Sequence, residues 1–334
     1  MAHGVVNIHL ERAGEGQLKL AWDLDAATAE GGELLLDIAF GPTPQAIDHE
    51  HHATVPAAQG HVQLATPPSE RTYVSVAPQG TGPAVVVSER RVPFEGVTNF
   101  RDLGGYPTAS GGHTRWGHLF RADALHRFTA EDRLAYERLG VVAVYDLRGD
   151  AEAAVHPNPV PSILLPVLSR GEGVEADAPA APLVDRADGE QLLRNLYGGM
   201  LAHAGPTFGE LFRAFADLDG RPAVFHCTGG KDRTGMSAAL LLELLGVARS
   251  DVLDDYELTS AFRRREHQGE SYDNMVAMGL APEAAAAVLG TPRWAMEEAL
   301  VELDETYGGI EAFLTRDAQL EPAVLERLRS QLAD

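Results

Sequence analysis

The stretch Pro222-Ala-Val-Phe-His226-Cys227-Thr228-Gly229-Gly230-Lys231-Asp232-Arg233-Thr234-Gly235, continued by Met236-Ser237 and the apolar run Ala238–Leu245, decides how this chain folds. Ala223 to His226 is short and mostly apolar, the pattern of a strand buried on both faces, and Thr234 to Leu245 has the length and character of a helix. Between them stand Cys227 and Arg233, with two glycines in the intervening loop. Gly229 and Gly230 let the backbone turn tightly, so that successive N–H groups and the dipole of the following helix build an anion cradle. The planar fork of Arg233 matches two oxygens of a phosphoryl group. A thiolate at Cys227 facing that group is a nucleophile, and the natural chemistry is phosphoryl transfer to sulfur followed by attack of water. A lone Cys at a strand end is more often a small buried hydrophobe. Packing alone does not account for Cys, two Gly, Lys, Arg and Thr-Gly at these offsets. A nucleotide-binding Walker loop would carry Ser or Thr after its lysine, whereas Lys231 is followed by Asp232.

Outward from the loop, the pattern from about Pro93 alternates strands with helices: helix Thr129–Leu139, strand Val141–Leu147, helices Gly189–Ala204 and Thr207–Asp217, then the strand and helix around the loop. This alternation predicts an α/β domain over 93–334, with a central, mostly parallel sheet and flanking helices. From Ser250 onward the chain reads as helices, with Gly246, Gly279 and Gly290 where C-caps belong. The segment Val155–Asp188, rich in Pro, Gly, Ala and Asp, reads as a long loop.

Residues 1–92 read differently. Val5–Leu10, Gln17–Leu24, Glu33–Phe40, His61–Ala65, Arg71–Ala77 and Ala84–Ser88 are short alternating or apolar runs separated by turn residues, which predicts an N-terminal all-β sandwich. Alternation in Leu18-Lys-Leu-Ala-Trp22 puts Trp22 in its core, and Tyr73 is a candidate tyrosine corner.

The loop His226-Cys-Thr-Gly-Gly-Lys-Asp-Arg-Thr-Gly235 resembles the signature of cysteine-dependent protein tyrosine phosphatases, in particular the bacterial tyrosine and lipid phosphatases with His-Cys-x-x-Gly-Lys-Asp-Arg-Thr-Gly. Asn99-Phe-Arg-Asp-Leu-Gly-Gly105 and Val144-Tyr-Asp-Leu-Arg148 are similar to strings that precede the loop in that group. The resemblance covers about 93–334, and the N-terminal part looks instead like a fibronectin type III or immunoglobulin-like module. It implies a phosphate monoester hydrolase acting through a cysteinyl-phosphate. Cys227 would be the nucleophile and Arg233 the clamp, with Thr228, Gly229, Gly230, Lys231 and Thr234 around the phosphate. Thr234 would hydrogen-bond the sulfur, His226 would hold the loop backbone, and Lys231 could receive an additional phosphate. No Trp-Pro-Asp tripeptide exists here, so Asp232 is the favoured leaving-group acid. Asp146 or an acidic residue of 155–188 is the alternative. Arg101 and Asp102 form either an ion pair under the pocket or a turn with Gly104 and Gly105 at positive φ, and Arg148 would share a strand face with Asp146.

The substrate implied is a phosphorylated protein, first of all phosphotyrosine, or alternatively a phosphoinositide or phosphoserine/threonine ester, with inorganic phosphate as product and neither a metal nor an organic cofactor. A rhodanese-like sulfurtransferase and a non-catalytic phospho-ligand module are the competing classes. The helical segment Ala281–Leu289 resembles in position a lid over the pocket, with core packing an equal reading. Asp48-His-Glu-His-His52 is read as a solvated loop rather than a metal site, and Arg263-Arg-Arg265 as a charged helix face.

The 27 Lys and Arg against 49 Asp and Glu give a net charge of −22, which opposes attraction to nucleic acid and to anionic membranes. No signal peptide or stable membrane insertion is expected from the N-terminus or from any apolar run. With a single Cys no internal disulfide forms, and a cytoplasmic, reducing setting is the expectation.

Overall fold

Trp22 fixes the first core. Its indole is buried, and its Nε1–H donates to the Ala57 carbonyl at 2.7 Å. In the computed structural model, which describes residues 4–14, 16–25, 34–50, 53–65, 71–79, 84–168, 185–263 and 265–334, Trp22 lies on the middle strand of an antiparallel sheet. That sheet comprises β1 (Val5–Gly14), β2 (Gln17–Leu24) and β5 (His61–Ala65). A second antiparallel sheet runs in the order β4 (Ala53–Pro56), β3 (Leu35–Gly41), β6 (Tyr73–Pro78), β7 (Val85–Ser88). Leu18, Leu20 and Trp22 from the first sheet and Leu36, Ile38, Val74 and Val76 from the second share one apolar cluster, as alternation requires. Strand β4 has no counterpart in the expected set: it is a four-residue edge strand, mostly exposed and ending in Pro56, so it shows no alternation. Tyr73 is not a tyrosine corner. Its hydroxyl is taken by the Arg71 guanidinium and its ring packs with Ala39, Ile47 and Trp116, because it faces the remainder of the chain.

The second sheet system has the order β11 (Ile163–Leu164), β10 (Ala143–Asp146), β12 (Ala223–His226), β9 (Leu119–Ala122), β8 (Arg101–Asp102). All neighbours are parallel except β8, which runs antiparallel to β9. Strands β8 and β11 have two residues each, too few to show any period, and β11 lies in the segment expected to be a loop. Residues 169–184 of that segment lie outside the described residues.

One face of this sheet, with Phe120, Val144 and Val224, packs on Phe94, Phe100, Phe128 and on Tyr136 of helix α1 (Ala130–Arg138). Thr129 starts α1 with a reciprocal cap to Asp132. The other face, with Leu119, Tyr145 and Phe225, meets α3 (Arg186–His203), α4 (Gly205–Ala216) and α5 (Asp232–Leu244). A short helix α2 (Asp150–Val155) follows β10. After Leu244 the chain forms α6 (Arg249–Phe262), α7 (Arg265–Ala277), α8 (Pro282–Leu289), α9 (Arg293–Tyr307), α10 (Ile310–Arg316) and α11 (Pro322–Leu332). No helix among the described residues is long and apolar enough to cross a membrane.

The two sheet systems meet at a buried ion pair, Arg71 Nη2 to Asp102 Oδ2 at 2.8 Å, with the guanidinium over the rings of Tyr73, Trp116 and Phe120. Arg101 and Asp102 therefore do not pair with each other, because neighbouring strand residues point to opposite faces. Asp102 instead accepts the Gly104 and Gly117 amides, each at 2.7 Å, while Arg101 turns to Asp255. Of the two glycines expected at positive φ only Gly105 is, at 78°. Gly104 is required by close approach, since a Cβ there would sit 2.3 Å from the Trp116 Cα.

Candidate active site

The C-terminal edge of the parallel sheet, where ligands bind in such folds, carries the loop from Cys227 to Lys231 between β12 and α5. Gly230 has φ 63°, and a Cβ on it would meet the Ala122 carbonyl oxygen at 2.6 Å. Gly229 is under no such constraint; its nearest neighbour would be the Arg263 guanidinium carbon at 3.5 Å. The loop's carbonyls are tied back. Asn99 Nδ2 donates to Gly229 O at 3.1 Å and to Gly230 O at 3.3 Å, Arg121 Nη2 donates to Gly230 O at 2.8 Å, and the Ala124 amide donates to Thr228 O at 3.1 Å. With these acceptors occupied, the loop has backbone N–H groups to offer an anion.

Arg121 is itself fixed by Asp255 on α6, which also takes Arg101 Nε at 3.0 Å and the Tyr106 hydroxyl at 2.9 Å. Burial pushes the Asp255 carboxyl up, but the charges of Arg101 and Arg121 hold it well below the usual carboxylate range. Arg101 thus supports the loop indirectly, through Asp255 and through Asn99 Oδ1.

Cys227 is buried at the head of the loop. Arg233, in the first turn of α5, is held end-on by Glu152 of α2: Nη1 to Oε2 at 2.5 Å and Nη2 to Oε1 at 2.9 Å. Thr228 Oγ1 donates to the same carboxylate at 2.8 Å. Burial pulls the Arg233 guanidinium down, but the bonds it donates to Glu152 raise it above its ordinary value; burial likewise pushes Glu152 up, and Arg233 holds it at about 2. Arg233 Nε has no partner among the described residues.

Asp232 opens α5. Its Oδ1 accepts the Tyr197 hydroxyl at 3.0 Å and lies 3.2 Å from Lys231 Nζ, while Oδ2 has no partner among the described residues. Lys231 departs from the expectation of a second phosphate site. Its ammonium is buried and directed to the carbonyls of Val288 at 2.5 Å and Gly290 at 2.9 Å, tying the loop to the end of α8. In this arrangement its donors already have acceptors from the chain itself.

The His226 ring is buried, which pushes it down to about 4 despite the neighbouring Asp146 charge, so it is neutral at neutral pH. Its Nδ1 lies 3.0 Å from Cys227 O and its Nε2 3.0 Å from Asn158 Nδ2. That network assigns the proton to Nδ1, donating to the loop carbonyl.

Asp146 does not fit an acid. Burial pushes it up, but Arg148, through Nε at 2.8 Å and Nη2 at 2.6 Å, brings it below its ordinary value. Arg148 lies two residues beyond the end of β10, so it and Asp146 do not share a strand face; its guanidinium folds back onto Asp146 and continues to His156 O at 2.8 Å. Of the acidic residues in 155–188, Asp185 and Asp188 cap α3 reciprocally, and the others lie outside the described residues. Thr234 Oγ1 is buried without a hydrogen-bond partner, Cys227 Sγ included. The expected bond to sulfur is not formed, and such an orphan hydroxyl at a loop base is suited to an incoming group.

His51, His52 and Arg264 lie outside the described residues, and no cluster of metal-ligating side chains occurs among the described ones. Sequence reasoning missed Glu152, Asn99, Arg121 and Tyr197 as site residues. A signal for Glu152 existed: it stands four positions after Arg148, in the first helix beyond the ligand edge of β10.

Residues 92–334 match the model of the tyrosine phosphatase family. The chain is 29% identical over 248 residues to a provisionally named tyrosine-protein phosphatase of Cupriavidus necator, covering 73% of this chain and 89% of that one. It is 29% identical over 272 residues to the triple specificity protein phosphatase PtpB of Mycobacterium tuberculosis, covering 71% and 97%. A tyrosine-protein phosphatase of Nostoc commune is 30% identical over 149 residues, covering 42% and 48%.

Proposed function

The chain belongs to the tyrosine phosphatase family, and on that premise we propose that it hydrolyses phosphotyrosine in proteins through a cysteinyl-phosphate, with Cys227 as nucleophile, Arg233 as clamp and Asp232 as acid. The Cys227 thiolate attacks phosphorus and the P–O ester bond breaks. The departing oxygen takes the Asp232 proton and leaves as the free phenol. Water then attacks phosphorus, losing a proton to Asp232, and the P–S bond breaks to return the thiolate and inorganic phosphate.

The observation that carries this reading is the Glu152–Arg233 pair. It anchors a guanidinium beside Cys227 by one hydrogen of each terminal nitrogen, so Nε–H and the other two remain for phosphate oxygens. Lys231, His226 and the Gly230 turn are read as loop supports. A second reading, activity on phosphoserine, phosphothreonine or lipid esters as well, is favoured by the triple specificity in the name of the Mycobacterium tuberculosis relative.

We assign residues 1–92 to a fibronectin III-like sandwich and 93–334 to the phosphatase domain; the shared core of the two antiparallel sheets supports the former. A thiolate nucleophile also implies a reducing, cytoplasm-like setting. The test is steady-state hydrolysis of a phosphotyrosine peptide, a phosphoserine peptide and short-chain phosphoinositides, with thiosulfate turnover alongside. Cys227→Ser is expected to abolish phosphate release; retention of activity in that variant, or turnover of thiosulfate alone, overturns the assignment.

A further inference from the structure

We propose that Tyr197, held in turn by Tyr256, is a positioning residue for the leaving-group acid: it fixes the Asp232 carboxyl through Oδ1, so that Oδ2 alone carries and delivers the proton. The inference rests on the reading of Asp232 as the acid.

Tyr197 lies on α3 and Tyr256 on α6, two helices that both pack against α5. Both side chains are buried, with rings edge to face at 6.2 Å and 88° and hydroxyl oxygens 2.7 Å apart. The Tyr197 proton is directed to Asp232 Oδ1 at 3.0 Å, so the bond between the phenols must run from Tyr256 to Tyr197. Among the described residues neither hydroxyl has any further hydrogen-bond partner. Two phenylalanines would fill the same space. What the hydroxyls add is a one-directional chain ending on the carboxyl.

Burial and the Asp232 charge raise the Tyr197 phenol well above its ordinary value, so it stays protonated and donates a hydrogen bond without surrendering its proton. That suits an acid which must lose a proton in the first step and regain it in the second. When Oδ2 is protonated, Oδ1 is a carbonyl oxygen; when it is not, Oδ1 is a carboxylate oxygen. Either accepts the same Tyr197 hydrogen, so the orientation is kept through both steps. Lys231 Nζ, 3.2 Å away, meets the same oxygen, and the side chain of Asp232 is 26% exposed, which leaves Oδ2 as its open end.

The test is a leaving-group series of aryl phosphates, from 2,4-dinitrophenyl to phenyl phosphate, for the parent, Asp232→Asn, Tyr197→Phe, Tyr256→Phe and the Asp232→Asn/Tyr197→Phe double variant, with thermal unfolding as control. Tyr197→Phe is expected to lose about 10-fold or more in kcat on phenyl phosphate and less than about 2-fold on the dinitrophenyl ester, with Tyr256→Phe smaller in the same direction. In the Asp232→Asn background the Tyr197 change should add less than about 2-fold, since the two act as one unit. If Asp232→Asn steepens the leaving-group dependence but Tyr197→Phe loses equally on all esters or adds its full loss to the double variant, the inference fails and the acid reading stands. If Asp232→Asn leaves the dependence unchanged, both fail.

Discussion

Glu152 and Arg233 face each other with both carboxylate oxygens against both terminal guanidinium nitrogens, at 2.5 and 2.9 Å. The pair joins the helix after β10 to the helix after β12, so two neighbouring strands of one sheet converge on one cation. A cation held this way loses little freedom when an anion arrives.

Glu152→Gln keeps the shape but turns one end of the carboxyl into a donor facing a donor. We expect kcat/KM on phosphotyrosine peptide to fall about 10-fold, and competitive inhibition by inorganic phosphate to weaken with it, for a lost interaction of order 1.4 kcal/mol. Tighter phosphate inhibition in the variant would mean that Glu152 obstructs the cradle instead of supporting its clamp.

The two loop glycines are not equivalent. Gly230→Ala forces a side chain into φ 63° and against the Ala122 carbonyl oxygen at 2.6 Å, so both the melting temperature and activity should drop. Gly229→Ala meets only ordinary contact at 3.5 Å and should melt within about a degree or two of the parent. Comparable destabilisation by both would contradict the geometry.

Two buried groups give pH dependences of opposite sign. His226, pushed down to about 4 by burial, is neutral in the folded chain, while in the unfolded chain it takes up a proton below about 6.5. Its contribution is present above 6.5 and is lost as pH falls toward 4. Asp123 is raised to about 6, chiefly by burial, against an ordinary value of 3.8. The folded chain therefore holds the extra proton, and this contribution is lost as pH rises from about 4 to 6. Denaturant unfolding between pH 4 and 7 should show His226→Gln gaining on its parent toward acid and Asp123→Asn gaining toward neutrality. Parallel curves for parent and variant would refute either assignment.

Arg71 and Asp102 are both buried at their 2.8 Å contact, so removing one partner strands the other. Arg71→Ala should cost about 3–5 kcal/mol, whereas a hydrophobic pair such as Arg71→Met with Asp102→Leu should recover part of the loss. Urea unfolding followed by Trp fluorescence measures both; a loss under about 1 kcal/mol would place the pair effectively in solvent.

The strand, loop and helix from Pro222 to Leu245 were legible because all the determinants are local: apolar run, glycines, Cys, Arg and helix period lie within one short window. So was the all-β pattern around Leu18, Leu20 and Trp22. What the chain order hides is what crosses it. Tyr197 and Asp232 are far apart in sequence, as are Arg121 and Asp255, and only the packing of α3 and α6 on the sheet brings them together. Lys231 looked like a free loop cation until the end of α8 supplied its acceptors. The two-residue strands β8 and β11 lie below the length at which any periodicity exists.

Within these 334 residues Cys227 is the sole thiol, and it is buried. Peroxide that reached it would make a sulfenic acid with no second cysteine in these residues to trap it as a disulfide. Rescue would then depend on a neighbouring backbone nitrogen or on a small thiol from outside, before further oxidation became irreversible. The same solitude is useful at the bench: one alkylation event, seen by intact mass, counts occupied sites directly.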